Sequence, residues 1–229
     1  MRLILFDVDG TLLSAQGAGR RALGRALEAV YGTRGAIDRY AFPGKTDLRI
    51  VFDVMGAAGL AADVVRERLD ECFEAYTRAL AEEIGDGSWV VLLPGVAELV
   101  RRLERTDDVV LGLLTGNIEA GARIKLEPTG LLPAFRTGAF GSDHADRGAL
   151  PSLASRRAHA LTGYAFRPHE VLVLGDTPLD IECARGFGAV AVAVATGQHT
   201  CEQLLAERPD LLFESFADVD RALAALLGP

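Results

Sequence analysis

Short apolar runs that stop abruptly at small or polar residues recur along this 229-residue chain and set its architecture. Leu3–Phe6 runs into Asp7, and Val109–Leu114 stops at Thr115-Gly116-Asn117. Val171–Leu174 stops at Gly175-Asp176-Thr177, and Ala189–Val194 at Ala195-Thr196-Gly197. Unbroken runs of this length suit strands buried on both faces of a parallel sheet better than strands with one wet face. Between them the apolar spacing changes to that of helices. Val96, Leu99, Val100 and Leu103 follow i, i+3, i+4, i+7 after Pro94-Gly95, a helix start. Thr200 and Gln203 have capping-box spacing, with Pro209 beyond. Val219, Ala222, Leu223, Leu226 and Leu227 repeat the helical pattern after Ser215 and Asp218. Strands alternating with helices predict an α/β fold with a Rossmann-like, mostly parallel sheet.

One region breaks the alternation. From about residue 15 to about residue 90 no strand is evident. Ala22, Leu23, Ala26, Leu27 and Val30 form one helical stripe; Val65, Leu69, Cys72, Phe73, Tyr76 and Leu80 form another. Gly17-Ala18-Gly19 and Gly85–Trp89 bracket the region as candidate flexible connections. The expected organisation is an α/β core of residues 1–14 and 91–229, with residues 15–90 an all-helical domain inserted after the first strand.

Composition narrows the function. Lys plus Arg is 24 against 32 Asp plus Glu, a formal net charge of −8, which argues against sequence-independent nucleic-acid binding. A small phosphorylated partner stays open, because a local site or a metal overrides the global field. Cys72, Cys183 and Cys201 are scattered without metal-binding spacing, so they are expected to be reduced core thiols. Asp7 ends the N-terminal apolar run too early for a signal peptide, and no uncharged stretch is long enough to cross a bilayer. The expectation is a cytoplasmic protein with no membrane contact.

Ligands of open α/β sheets bind outside the carboxyl ends of the strands. Asp7, Asp9 and Thr11 follow the first strand, Thr115, Gly116 and Asn117 the second, and Asp176 and Asp180 another. An isolated Asp after a strand is an ordinary turn former or cap. Several acids converging on one crevice repel one another unless a cation neutralises them. All-oxygen ligation with few carboxylates suits Mg²⁺, so the acids predict a magnesium site.

The ordered set Asp7-Val8-Asp9-Gly10-Thr11, Thr115-Gly116-Asn117 and Gly175-Asp176-Thr177-Pro178-Leu179-Asp180 resembles the haloacid dehalogenase superfamily. The likeness is to its phosphoglycolate-phosphatase-like branch with a helical cap, and it spans essentially the whole chain. The resemblance implies a Mg²⁺-dependent phosphatase acting on a small phosphorylated metabolite through an aspartyl-phosphate. Asp7 would be the nucleophile, and Asp9 the general acid and then base. Thr115, with Gly10, Thr11, Gly116 and Asn117, would surround the phosphoryl group. Magnesium would be held by Asp7, the Asp9 carbonyl and Asp176, with Asp180 behind or through water. The family's usual lysine upstream of the Gly-Asp strand is missing: no lysine lies between Ala139 and Asp176. Arg147 is the expected replacement, and Lys125 the alternative if it points inward. Lys45, in Phe42–Asp47, is expected at the crevice mouth over an anionic substrate. A phosphomutase like β-phosphoglucomutase, and a non-catalytic phosphometabolite-binding protein, are the other readings. Asp9 favours phosphoester chemistry over dehalogenation.

Overall fold

The computed structural model describes residues 1–228. Its strands are β1 (Arg2–Phe6), β2 (Leu13–Ser14), β3 (Val91–Leu92), β4 (Val109–Leu114), β5 (Thr137–Ala139), β6 (Val171–Gly175), β7 (Val190–Val194) and β8 (Leu211–Phe213). The helices are α1 (Ala18–Tyr31), α2 (Asp47–Ala57), α3 (Ala62–Glu67), α4 (Leu69–Ile84), α5 (Val96–Glu104), α6 (Glu119–Leu126), α7 (Leu150–Thr162), α8 (Pro178–Phe187), α9 (Cys201–Ala206) and α10 (Val219–Leu227).

Six strands form one sheet in the order β5-β4-β1-β6-β7-β8, every pair parallel. The four apolar runs became β1, β4, β6 and β7. The three-residue strands β5 and β8 at the sheet edges carry too little sequence to declare themselves. Both faces of β1 are buried, as its unbroken apolar run requires. Ile4 and Phe6 join one core, under α1, α5 and α10, while Leu3 and Leu5 join a second, under α7 and α8. Each such fully buried side chain contributes about 1.5–3 kcal/mol. Because β1 sits between β4 and β6, the strand order reverses there, and a crevice opens beyond its carboxyl end.

The described residues 15–90 contribute α1 to α4 and no strand. Entry and exit are joined by an antiparallel ribbon, Leu13 opposite Leu92 and Ser14 opposite Val91, which the apolar pattern did not reveal. Gly17, at φ 80°, starts α1 directly, so Gly19 lies within a helix. The stripe from Val65 to Leu80 is not one helix. Arg68, at φ −112° and ψ 13°, ends α3 and starts α4, so Val65 and Cys72 are buried from different helices. The expected caps formed at Thr200 and Asp218. Cys72 and Cys183 are buried free thiols, but Cys201, at the exposed start of α9, is only half-buried. Among the described residues no helix is long and apolar enough to cross a membrane.

Candidate active site

The carboxyl ends of β1, β4 and β6 place the three polar motifs at one crevice. The Asp7 N–H donates to the Leu174 carbonyl (2.9 Å), carrying β1 one residue beyond its sheet register. Val8 then turns into the core and is fully buried, and Asp7 and Asp9 both line the cavity. Gly10 turns the chain at φ 87°. A side chain there would be strained and would also meet the Asp176 carboxylate, 2.5 Å from the position of a β-carbon. The cavity has a volume of about 410 Å³ and is lined by the catalytic candidates together with Lys45, Asp47, Tyr76 and Thr196.

Asp7, Asp176 and Asp180 are buried and bring one carboxylate oxygen each to within 4.8 Å of the others. Burial pushes the Asp7 carboxyl up to about 6; Arg147 opposes the shift, and Asp180 and Asp9 add to it. Asp176 is pushed up to about 8, by burial and then by Asp180 and Asp7. Three clustered acids and one guanidinium leave a net deficit of positive charge, which fits a divalent cation. Asp180 is already occupied. One oxygen takes the Arg147 guanidinium, and the other accepts from the Thr177 N–H (3.0 Å) and hydroxyl (2.7 Å). The capping box that starts α8 therefore also fixes this acid. Asp7 and Asp176 are the acids with freer oxygens: among the described residues the one side chain that donates to Asp176 is Thr11, at 3.3 Å. The carboxylate of Asp9 stands apart from this trio.

Two buried cations enter from different elements. Arg147, 7% exposed, sits in a single 3₁₀ turn before α7. Its guanidinium lies 3.3 Å from Asp7, pairs with Asp180, and donates to the carbonyls of Gly44 (3.2 Å) and Leu114 (3.3 Å). Burial works against its charge, but Asp180 and Asp7 outweigh it and hold Arg147 above its usual value. Lys125, from α6, is 3% exposed. It points inward, yet to Asp9 (2.6 Å) and the Asn117 Oδ1 (2.6 Å) rather than to Asp7. Arg147 is the cation beside Asp7, while Lys125, though inward, pairs with Asp9 instead.

Thr115 Oγ1 accepts from the Asn117 amide (2.8 Å). Gly116 is required by a close approach: the Lys45 carbonyl would lie 2.0 Å from a β-carbon there. The Lys45 ammonium stands 4.0 Å from the centre of the Tyr40 ring and lines the cavity mouth. Around it, residues 44–47 dock onto the sheet side. The Thr46 hydroxyl donates to the Ala145 carbonyl (2.7 Å) and the Asp47 N–H to the Gly116 carbonyl (2.7 Å), while the Asp47 carboxylate accepts from the Ile118 N–H (2.8 Å).

Several lining residues escaped the sequence reading. Asp47 carried no expected role beyond closing the Phe42–Asp47 stretch, and Tyr76 looked like one member of an apolar stripe. Burial pushes the Asp47 carboxyl up to about 6, against the pull of Lys125, and pushes the Tyr76 hydroxyl well up. Thr196 donates to the Gly10 carbonyl (2.6 Å), and Gly197 lies flat against Asp176. Their only sequence signal was the polar stop of the run that became β7.

The parallel sheet gathers carboxylates from the ends of its middle strands at one crevice, an α/β architecture with an acidic site. The chain belongs to the haloacid dehalogenase-like hydrolase family, whose model matches residues 1–188. It is 33% identical over 138 residues to a phosphoglycolate phosphatase of Synechococcus elongatus, covering 59% of this chain and 61% of that one. It is 27% identical to the protein named "Probable phosphatase IndB" of Dickeya dadantii, over 98% of this chain and 94% of the relative. A crystal structure of a hydrolase from Pseudomonas syringae superposes with a TM-score of 0.74 at 21% identity, covering 99% of both chains.

Proposed function

We propose that the protein is a Mg²⁺-dependent phosphatase that hydrolyses a small phosphomonoester of the phosphoglycolate type through an aspartyl-phosphate on Asp7. The observation that carries this reading is the buried trio of Asp7, Asp176 and Asp180, with Asp9 and two buried cations beside it. The names of the curated relatives point the same way.

In the first step an Asp7 oxygen forms a bond to phosphorus while the bond to the leaving oxygen breaks. That oxygen departs with the bonding pair and takes a proton from Asp9. In the second step water attacks the phosphorus, gives its proton to Asp9, and returns Asp7 as a carboxylate. Thr115 and the Gly116 N–H orient the phosphoryl group, Asn117 fixes the Thr115 hydroxyl, and Arg147 offsets charge beside Asp7. Asp7, the Asp9 carbonyl and Asp176 would hold Mg²⁺, with Asp180 anchoring Arg147 behind them; bound there, the ion offsets charge on the phosphoryl oxygens. Residues 15–90 act as a cap that sets substrate choice, with Lys45 meeting the anionic end of the substrate. Three free cysteines suit the reducing cytoplasm.

The test is phosphate release from p-nitrophenyl phosphate and a panel of phosphorylated metabolites, including 2-phosphoglycolate and sugar phosphates, with Mg²⁺ or EDTA. Metal-dependent release by the wild type and none by Asp7→Asn is expected. No release from any substrate would overturn the reading.

A further inference from the structure

Lys125 belongs to neither the acid trio nor the phosphate-holding motif, yet it is among the most buried charges in the molecule. An ammonium in that position is tolerated only when its hydrogen bonds are met by acceptors. Two are in place at 2.6 Å, Asp9 Oδ2 and Asn117 Oδ1. Its charge also acts on Asp47, the buried acid of the inserted segment. Gly19 of α1 makes the space: a β-carbon there would lie 3.2 Å from the Lys125 ammonium and 3.4 Å from the Tyr76 hydroxyl.

These contacts dictate which atoms face which. Lysine is a donor only, so the Asn117 side chain must turn its oxygen to Lys125. Its Nδ2 is then left to donate to Asp9 Oδ2 (2.8 Å) and Thr115 Oγ1 (2.8 Å). Both side-chain hydrogen bonds received by Asp9 fall on Oδ2. Among the described residues none is made to Oδ1, and the Asp9 side chain is 44% exposed at the cavity. Oδ2 is thus committed to two donors, and Oδ1 is the oxygen left free to face a leaving group.

The geometry points to Lys125 as a positioning residue that locks Asn117 and Asp9 in one orientation, reserving Asp9 Oδ1 for proton transfer with the leaving group. This inference rests on the phosphatase reading above. As the ester P–O bond breaks, the leaving oxygen keeps the bonding pair and takes the Oδ1 proton. Asp9 becomes a carboxylate, and the Lys125 ammonium beside Oδ2 is already placed to stabilise it. Without Lys125, the Asn117 amide is free to turn over, and Asp9 loses the contact that selects its free oxygen.

The test compares leaving groups, because a general acid matters for an alkoxide and hardly at all for p-nitrophenoxide. The wild type and Lys125→Met are assayed for kcat/KM, which reports steps through the first phosphoryl transfer. The substrates are p-nitrophenyl phosphate and the better of 2-phosphoglycolate and glycerol 3-phosphate. General acid–base catalysis is worth about 100-fold or more. The expected result is therefore a fall of about 100-fold on the alkyl ester and a change within about threefold on the aryl ester. If Lys125→Met does not fold, Lys125→Met/Asp47→Asn removes the buried acid together with its cation and is measured the same way. An equal fall on both substrates, or no fall on either, overturns this inference and leaves the phosphatase reading standing. A wild type that releases phosphate from no member of the panel above overturns that reading, and this inference with it.

Discussion

The guanidinium of Arg147 stands 3.3 Å from the carboxylate of Asp7, delivered from a single 3₁₀ turn between β5 and α7. It bridges Asp7 and Asp180, and it also reaches the carbonyl of Gly44 in the inserted segment. Its two terminal nitrogens reach all of these acceptors from one planar fork.

Arg147→Ala leaves Asp7 and Asp180 buried without their cation. Breaking a buried pair in this way costs about 3–5 kcal/mol, and losing a donor aimed at transition-state charge costs about 100- to 1000-fold in kcat. Arg147→Lys keeps the charge but not the fork, and is expected to recover part of the thermal stability and less of the kcat. Thermal melts together with steady-state kinetics of both variants check this. Full activity in the lysine variant would show that charge alone suffices.

The raised carboxyls make metal-free stability fall with pH. Asp7 and Asp47 sit at about 6 and Asp176 at about 8 in the folded chain, against an ordinary value of 3.8. Between those values the folded state holds more protons than the unfolded state. Their contribution is complete below about pH 4 and is lost as pH rises towards about 8. Melting in EDTA should therefore drop from pH 5 to pH 8, and Asp176→Asn should flatten the drop. Mg²⁺ should stabilise more at pH 8, by about 2.7 kcal/mol at a hundred times its Kd. An equal Mg²⁺ effect at both pH values would contradict this.

Lys45 rests against Tyr40 at the cavity mouth, near enough to swing towards an anionic substrate. Lys45→Ala is expected to raise KM for a phosphorylated metabolite by about tenfold, the scale of one lost charge-assisted hydrogen bond. Its kcat should change little. An unchanged KM in steady-state assays would remove Lys45 from the substrate site.

Gly116 tests the docking of the inserted segment. With the Lys45 carbonyl 2.0 Å from its β-carbon position, Gly116→Ala must push residues 44–47 away. The hydrogen bonds of Thr46 and Asp47 to the core should then fail together. Faster amide hydrogen exchange at residues 46–50, with kcat/KM reduced, is the expected outcome. Unchanged exchange there would show that the segment is not held by this contact.

What the sequence disclosed follows from what periodicity can carry. The long runs at β1, β4, β6 and β7 announce a parallel sheet because both their faces are buried. Their polar stops announce the crevice. The β2–β3 ribbon and the edge strands β5 and β8 are two or three residues each, too short for any period to register. Val65 to Leu80 kept helical spacing across the break at Arg68, so two helices read as one. At the site, Asp7, Asp9 and Asp176 were legible from local motifs. Which of Arg147 and Lys125 meets which acid was not, because the answer depends on α6 and the turn before α7 approaching from opposite sides. Asp47 and Tyr76 stayed hidden for the same reason: their partners lie far away in the chain.

Trapping the covalent intermediate tests the central claim most directly. The wild-type enzyme is mixed with a hydrolysed substrate or acetyl phosphate in Mg²⁺, quenched, reduced with borohydride, and the peptide containing residue 7 is analysed by mass spectrometry. Reduction of an aspartyl-phosphate converts Asp7 to homoserine, and the account predicts that product at Asp7 in Mg²⁺ and its absence in EDTA. Sustained phosphate release with an unmodified Asp7, or modification at another residue in its place, would contradict it.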